Sequence, residues 1–286
     1  MSDAQQDQDT DKAEEKTSPT AHVVYEAIRI EGRHELERKV SSLAWSGLAA
    51  GMSMGFSFLV QALLRQHLPD SAWAPLITKL GYAAGFLIVI LGRQQLFTEN
   101  TLTVILPLLL HKTKSDFVKV ARLWTVVLAA NLVGAFAFAL VAAKTGAFEP
   151  EVRTMLDAIA GESTAQTFGI NFLRGIFAGW LIALMVWLLP AAESARIWVI
   201  IIITYVIGLG HFPHIIAGSV EAFYAGMNGM RTWGELIVGY GLPTLIGNTL
   251  GGVALVAVLA HAQIVGDKRA SRESSKSQAP NFKSPR

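Results

Sequence analysis

Two stretches decide the reading: LGRQQLFTENT at residues 91–101 and GLGHFPHIIAGS at residues 208–219. Each interrupts an apolar run. The first run extends from Ile77 to Gly92, breaks at Arg93-Gln94-Gln95 and resumes from Leu102 to Leu110. The second extends from Ile197 to Gly210, breaks at His211-Phe212-Pro213-His214 and resumes at Ile215. Pro213 has no N–H to give and disrupts a helix. Irregular backbone at membrane depth is tolerated only where it is buried in protein or lines a wet cavity. Both breaks are therefore expected to line a pathway.

Four uninterrupted runs flank them: Val40–Leu64, Leu123–Ala143, Phe172–Leu189 and Leu236–Ala260. Each supplies the roughly 20 apolar residues that a bilayer core requires. The chain is 52% apolar and only 16% charged, against about 25% charged in soluble domains. These features predict an all-α polytopic membrane protein with six transmembrane helices, the second and fifth broken. There is no Cys, which excludes disulfides, thiol catalysis and Cys-ligated metals. Residues 1–20 are polar, have no apolar signal-peptide core and read as a disordered acidic cytoplasmic tail. Residues 21–39, with Val24, Ile28 and Leu36 among charges, read as an amphipathic cytoplasmic helix. Residues 40–262 form the expected pore domain, and 263–286 a disordered basic tail.

An even number of spans puts both termini on one side, and the distribution of Lys and Arg selects it. Segment 1–39 carries six, the connection from the second to the third span four (Lys112, Lys114, Lys119, Arg122), the next connection on that side Arg196, and the C-terminal tail six. The opposite side carries only Arg65, Lys79, Lys144, Arg153 and Arg231. Both termini are thus expected in the cytoplasm.

The two halves resemble each other. SGLAAG (46–51) opens the first span and RGIFAG (174–179) the fourth; Asn131-x-x-Gly134 lies in the third, and Asn248-x-x-Gly251-Gly252 in the sixth. A three-span unit repeated once must be inverted in the membrane. Paired broken helices in such a repeat point to a solute site at mid-membrane. The glycines Gly47, Gly51 and Gly55 permit close helix packing.

His214 is an ionisable group inside a broken span, and therefore a functional candidate. The helix that resumes after it presents free N–H groups and a positive dipole end, which favour an anion. A histidine can also exchange a proton near neutral pH. Together with the Thr98 hydroxyl, this set suits a carboxylate-sized anion. Gly218 removes bulk one turn beyond His214. Arg174 either adds positive potential to the pathway or snorkels to the interface. Phe86, Phe97 and Ile207, near the breaks, are candidates for apolar gates. His211-x-x-His214 lacks the third ligand that a zinc site needs. His211 is instead read as a vestibule residue, and no metal or cofactor is expected.

QLFTEN (95–100), Asn131-x-x-Gly134, RGIFAGW (174–180), HFPHIIAG (211–218) and GNTLGG (247–252) together resemble the formate/nitrite transporters, in particular their YfdC-like branch. The resemblance extends over roughly residues 40–262. It implies an aquaporin-like helical fold and a homopentamer with one pore per protomer. It further implies that His214 is the central pore histidine, that Thr98 faces it, and that Phe97 belongs to a constriction. Arg174 matches a position where transporting members carry Lys, and Tyr82, Phe86 and Ile207 fall at or near gate positions. The sequence departs from the family pattern at Pro213, Gly218, Gln94, Gln95 and Ala178-Gly179.

The expected function is a channel or transporter for small monovalent anions in a bacterial inner membrane, with a small anion and lipid as partners and no nucleic acid. A water or polyol channel and a non-transporting sensor or scaffold are the competing classes. A selective anion current separates the first from the leading reading, and absence of any flux favours the second. An intramembrane serine protease lacks a Gly-x-Ser-x-Gly frame around Ser219. A topology reporter fused after Arg286 is expected to be active only in the cytoplasm. Activity confined to the periplasm would reverse the orientation.

Overall fold

The computed structural model describes residues 19–258, so most of both predicted tails lies outside the described residues. Ten helices follow in order. They are α1 (Ala21–Glu37), α2 (Val40–His67), α3 (Ala74–Leu91, with a 3₁₀ turn at Lys79–Tyr82), α4 (Asn100–Leu110), α5 (Lys114–Lys144), α6 (Pro150–Ser163), α7 (Phe168–Ala191), α8 (Arg196–Leu209), α9 (Ile215–Met227) and α10 (Glu235–Ala254). Five of these, α2, α3, α5, α7 and α10, are long and apolar enough to cross a membrane. The helices α4, α8 and α9 are apolar but shorter.

Local chemistry explains the helix ends. Thr20 caps α1 by accepting from the Val23 N–H, and Thr113 caps α5 by accepting from Asp116 N–H, the usual solution for unpaired first-turn donors. Helix α1 buries Val24, Tyr25, Ile28, Gly32 and Leu36, a stripe at helical spacing. A Cβ at Gly32 would lie 2.0 Å from the Thr103 carbonyl oxygen, so α1 rests directly on the backbone of α4. Helix α6 was not anticipated. Pro150 opens it, and Val152, Leu156 and Ile159 are buried at i, i+4 and i+7 spacing. That signal was present in the sequence but fell below the length of a span.

Two pairs of long helices carry the architecture: α2 lies along α5, and α7 along α10. Lipid is as apolar as leucine, so helices in a membrane associate through close packing rather than through exclusion of water. Glycine supplies that closeness in matched fashion. A Cβ at Gly51 would sit 2.0 Å from the Asn131 carbonyl oxygen, and one at Gly179 2.1 Å from that of Asn248. From the other side, a Cβ at Gly134 would sit 2.3 Å from the Leu48 carbonyl oxygen, and one at Gly251 2.1 Å from that of Ile176. Gly252 is equally constrained, but by the Thr101 side chain of α4.

Gly51→Ala and Gly179→Ala are each expected to lower the thermal midpoint of the detergent-solubilised protein by several degrees, because a backbone carbonyl cannot move aside. Gly234→Ala, where a Cβ meets nothing within 4 Å, is expected to leave it unchanged. Differential scanning fluorimetry checks all three.

Candidate functional site

The chain leaves α3 and α8 in the same way. Gly92 and Gly210 end the helices, and Arg93 (φ 51°) and His211 (φ 48°) turn left-handed. Gln94 N–H then reaches back to the Val89 carbonyl, and Phe212 N–H to that of Ile207, the six-to-one closure of a helix C-terminus. A left-handed conformation is uncommon for a residue with a Cβ. Its use at both breaks shows that the surroundings hold these turns in place.

One asparagine holds each break. Asn131 Oδ1 accepts from Phe97 N–H at 2.9 Å, while its Nδ2 donates to the carbonyls of Gln95 at 2.8 Å and Gly47 at 2.7 Å. Asn248 Oδ1 accepts from Ile215 N–H at 2.8 Å, and its Nδ2 donates to the carbonyls of Pro213 and Gly175, both at 2.9 Å. Both side chains are fully buried. Each asparagine thus satisfies a donor and an acceptor freed by its break and ties the break to the neighbouring long helix, as buried polar backbone requires.

His214 is completely buried at the start of α9. Its Nδ1 accepts from Ala217 N–H at 3.2 Å, capping the helix, and its Nε2 lies 2.6 Å from Thr98 Oγ1. An Nδ1 that accepts a backbone N–H places the proton of the neutral ring on Nε2, so Nε2–H donates to the Thr98 hydroxyl. The Phe86 ring meets the imidazole edge-on at a centroid distance of 5.0 Å. Phe97 packs against Trp124 at 5.8 Å, and the Trp124 indole donates to the Asn100 carbonyl at 3.1 Å.

Two cavities approach this contact. The larger, about 1060 Å³, is lined by Tyr82, Arg174, Ile207, His211, His214 and Gly218 among others. The smaller, about 90 Å³, is lined by Gln94, Gln95, Glu99, Asn100 and Arg196, with Glu31 and Glu35 of α1. They lie at opposite ends of α3, whose first residues line the large cavity and whose Ile90, next to last, lines the small one. Thr98, Phe97 and Phe86 are buried and line neither cavity, so they occupy the closed stretch between. His211 is exposed at the mouth of the large cavity, and Arg174 is half-buried in its wall. Asn131 and Asn248 hold the two interruptions, whereas Gly134, Gly251 and Gly252 act in helix packing.

Three features of the site were not read from the sequence. Gly218 does not leave open space, because the Tyr240 hydroxyl oxygen lies 1.6 Å from where its Cβ would be. Lys79 and Glu221 also line the large cavity. Glu221 stands at i+7 from His214 and Lys79 at i−7 from Phe86, a spacing that was legible. Finally, α1 is latched to the first break: Glu31 pairs with Arg93 at 2.8 Å, and Glu35 accepts from Gln95 Nε2 at 2.8 Å.

Residues 22–262 match a family model described as formate/nitrite transporter. The chain is 41% identical to the inner membrane protein YfdC of Escherichia coli (strain K12), over 91% of this chain and 84% of that one. It is 28% identical to the uncharacterized transporter YrhG of Bacillus subtilis (strain 168), over 82% and 90%. Among solved structures, it superposes on an FNT family ion channel with a TM-score of 0.73 at 18% identity, covering 82% of this chain and 96% of that one. A pentameric formate channel with formate bound gives 0.67 at 20% identity, covering 79% and 98%. At these identities the two structures speak to the fold alone.

Asn131→Ala and Asn248→Ala each remove three hydrogen bonds and leave buried backbone groups unpaired. Each is expected to cost about 2–4 kcal/mol, at roughly 1 kcal/mol per bond and more for an orphaned group. Denaturant titration of the solubilised protein checks this, and a loss below about 1 kcal/mol would mean that the breaks hold themselves.

Proposed function

This chain belongs to the formate/nitrite transporter family, and on that footing we propose that a small monovalent weak-acid anion crosses it by way of the two cavities and the His214–Thr98 contact between them. The six spans in this reading are α2, α3 with α4, α5, α7, α8 with α9, and α10. The second and fifth are broken, and the two halves form an inverted 3+3 repeat. The identical hydrogen-bond patterns of Asn131 and Asn248 support the repeat. The excess of Lys and Arg at residues 1–39 and 263–286 supports cytoplasmic termini. The inner membrane relative in E. coli supports a bacterial inner membrane location. The pentameric formate channel supports a homopentamer, and outward-facing apolar side chains such as Trp45, Trp198 and Ile237 suit lipid or a neighbouring protomer.

One observation carries the functional reading: a buried imidazole whose Nδ1 caps its own helix and whose Nε2 meets a threonine hydroxyl, at the start of a helix and at the inner end of a cavity. A bare anion entering so dry a stretch carries a large desolvation cost. In this mechanism the anion collects in the large cavity, where Arg174 adds positive potential. It acquires a proton on the cavity side of the His214–Thr98 contact and passes Phe86, Ile207 and Phe97 as the neutral acid. Thr98 then takes part in handing the hydrogen-bonded solute from one half-helix to the other.

The test is flux of formate, acetate or nitrite into proteoliposomes from about pH 5 to 8, the range in which an ordinary histidine titrates. His214→Asn keeps a polar side chain but cannot titrate, and it is expected to change the shape of the pH profile. His211→Asn, at the cavity mouth, is expected to change the rate only slightly. An unchanged profile in a properly assembled His214→Asn protein removes His214 from the proton step.

A further inference from the structure

Three rungs lead from the wall of the large cavity into the closed stretch beyond it. On α3, Lys79, Tyr82 and Phe86 follow at i, i+3 and i+7; on α9, Glu221, Gly218 and His214 face them in the reverse order. The innermost rung is the Phe86–His214 ring contact at 5.0 Å. The middle rung is Tyr82 with the Tyr240 hydroxyl, which fills the place of a side chain at Gly218. The outermost rung is Lys79 and Glu221, of opposite charge. Lys79 Nζ donates to Gln61 Oε1 at 3.0 Å, and Gln61 is oriented by its own bond to the Ser57 carbonyl at 3.0 Å. Glu221 is buried within electrostatic reach of Lys79, Tyr82 and Tyr240.

We propose that Lys79 and Glu221 form an outer binding site for a small carboxylate and its proton, placed before the His214 constriction. The proposal rests on the transport reading above and deepens it. When Glu221 is ionised, it neutralises Lys79, and the rung attracts no anion. When Glu221 carries a proton, Lys79 is an uncompensated ammonium and holds a carboxylate. The proton then leaves the Glu221 carboxyl oxygen for the carboxylate, producing the neutral acid and a Glu221 carboxylate that again pairs with Lys79. The negative charge passes from the solute to Glu221, where Lys79 compensates it, and the species moving inward past Tyr82 and Tyr240 is uncharged.

The surroundings suit this role. The groups around Glu221 are Lys79 and Tyr82 of α3, Tyr240 of α10, and Ser163 and Glu162 of α6. Arg65 of α2 is paired with Glu162 at 2.8 Å, so that carboxylate is already compensated. Helix α5 packs against α9 but contributes none of the side chains lining the cavity. Arg174 and His211 line the cavity from other elements, and the Arg174 guanidinium adds to its positive potential. Lys79 is thus the cation that shares a rung with a buried carboxyl.

The experiment is formate uptake by proteoliposomes of the full chain, with half-saturation concentration and maximal rate measured against external pH. The wild type is expected to bind formate more tightly at acid than at alkaline external pH. Lys79→Met should raise the half-saturation concentration about tenfold at acid pH, the equivalent of one charged contact. Glu221→Gln should split the two constants. Half-saturation at alkaline pH should fall toward the wild-type acid value because Lys79 is free, while the maximal rate drops about tenfold because the proton donor is gone. Glu221→Asp, which keeps a carboxyl, should retain the pH dependence even if it assembles less well. A Glu221→Gln protein with both constants unchanged, or with both moving in parallel, overturns the site, as does loss of the pH dependence in Glu221→Asp. Flux in the wild type with unchanged variants sinks this site alone. Absence of weak-acid flux in the wild type sinks the transport reading and this site with it.

Discussion

Everything near the centre of this protein depends on two side chains that hold interrupted backbone inside an apolar bundle. A helix that stops within a membrane releases N–H and C=O groups with no water to take them. Asn131 and Asn248 meet that demand with the same three bonds: one to a donor in the break, one to an acceptor two residues before it, and one to the adjacent long helix. An amide side chain suits this position because it carries donor and acceptor at once. Aspartate would supply only acceptors and a charge.

The asparagines can reach because the long helices touch backbone to backbone. Gly51 and Gly134 bring α2 against α5, and Gly179 and Gly251 bring α7 against α10. Gly47 and Gly175 are themselves the carbonyl acceptors for the two amides. Packing and polar satisfaction therefore form one device used twice. The equivalence ends at the residue between the two clamped positions, which is Leu96 in the first break and His214 in the second. The first interruption thus offers an apolar side chain where the second offers an imidazole.

This asymmetry shapes the closed stretch between the cavities. His214 spends Nδ1 on capping its own helix and Nε2 on Thr98 of the first interruption. A ring with both nitrogens engaged is held in one orientation and one tautomer. The Phe86 ring meets it edge-on, and neither Phe86 nor Phe97 lines either cavity. The large cavity is mixed in charge, with Arg174 and Lys79 alongside Glu221 and Glu162. Local pairing within its wall therefore matters more than its net sign.

The sequence by itself determined the apolar helices, the two interruptions and the matched Asn-x-x-Gly motifs, because membrane length and helix punctuation are local properties. It also singled out His214 and Thr98, since polar groups within apolar runs are few. It did not disclose that the asparagines clamp the breaks. That fact joins residues far apart in the chain, such as Gly175, Pro213 and Asn248. Helix α6 was legible in its spacing but shorter than a span, and it was passed over. Only the tertiary structure decided what occupies the space beside Gly218. A missing Cβ reads as room until the Tyr240 hydroxyl, from another helix, is found lying in it. That Lys79 and Glu221 line one cavity had the same origin: helix periodicity gives the face on which each residue lies, but packing alone decides which faces meet.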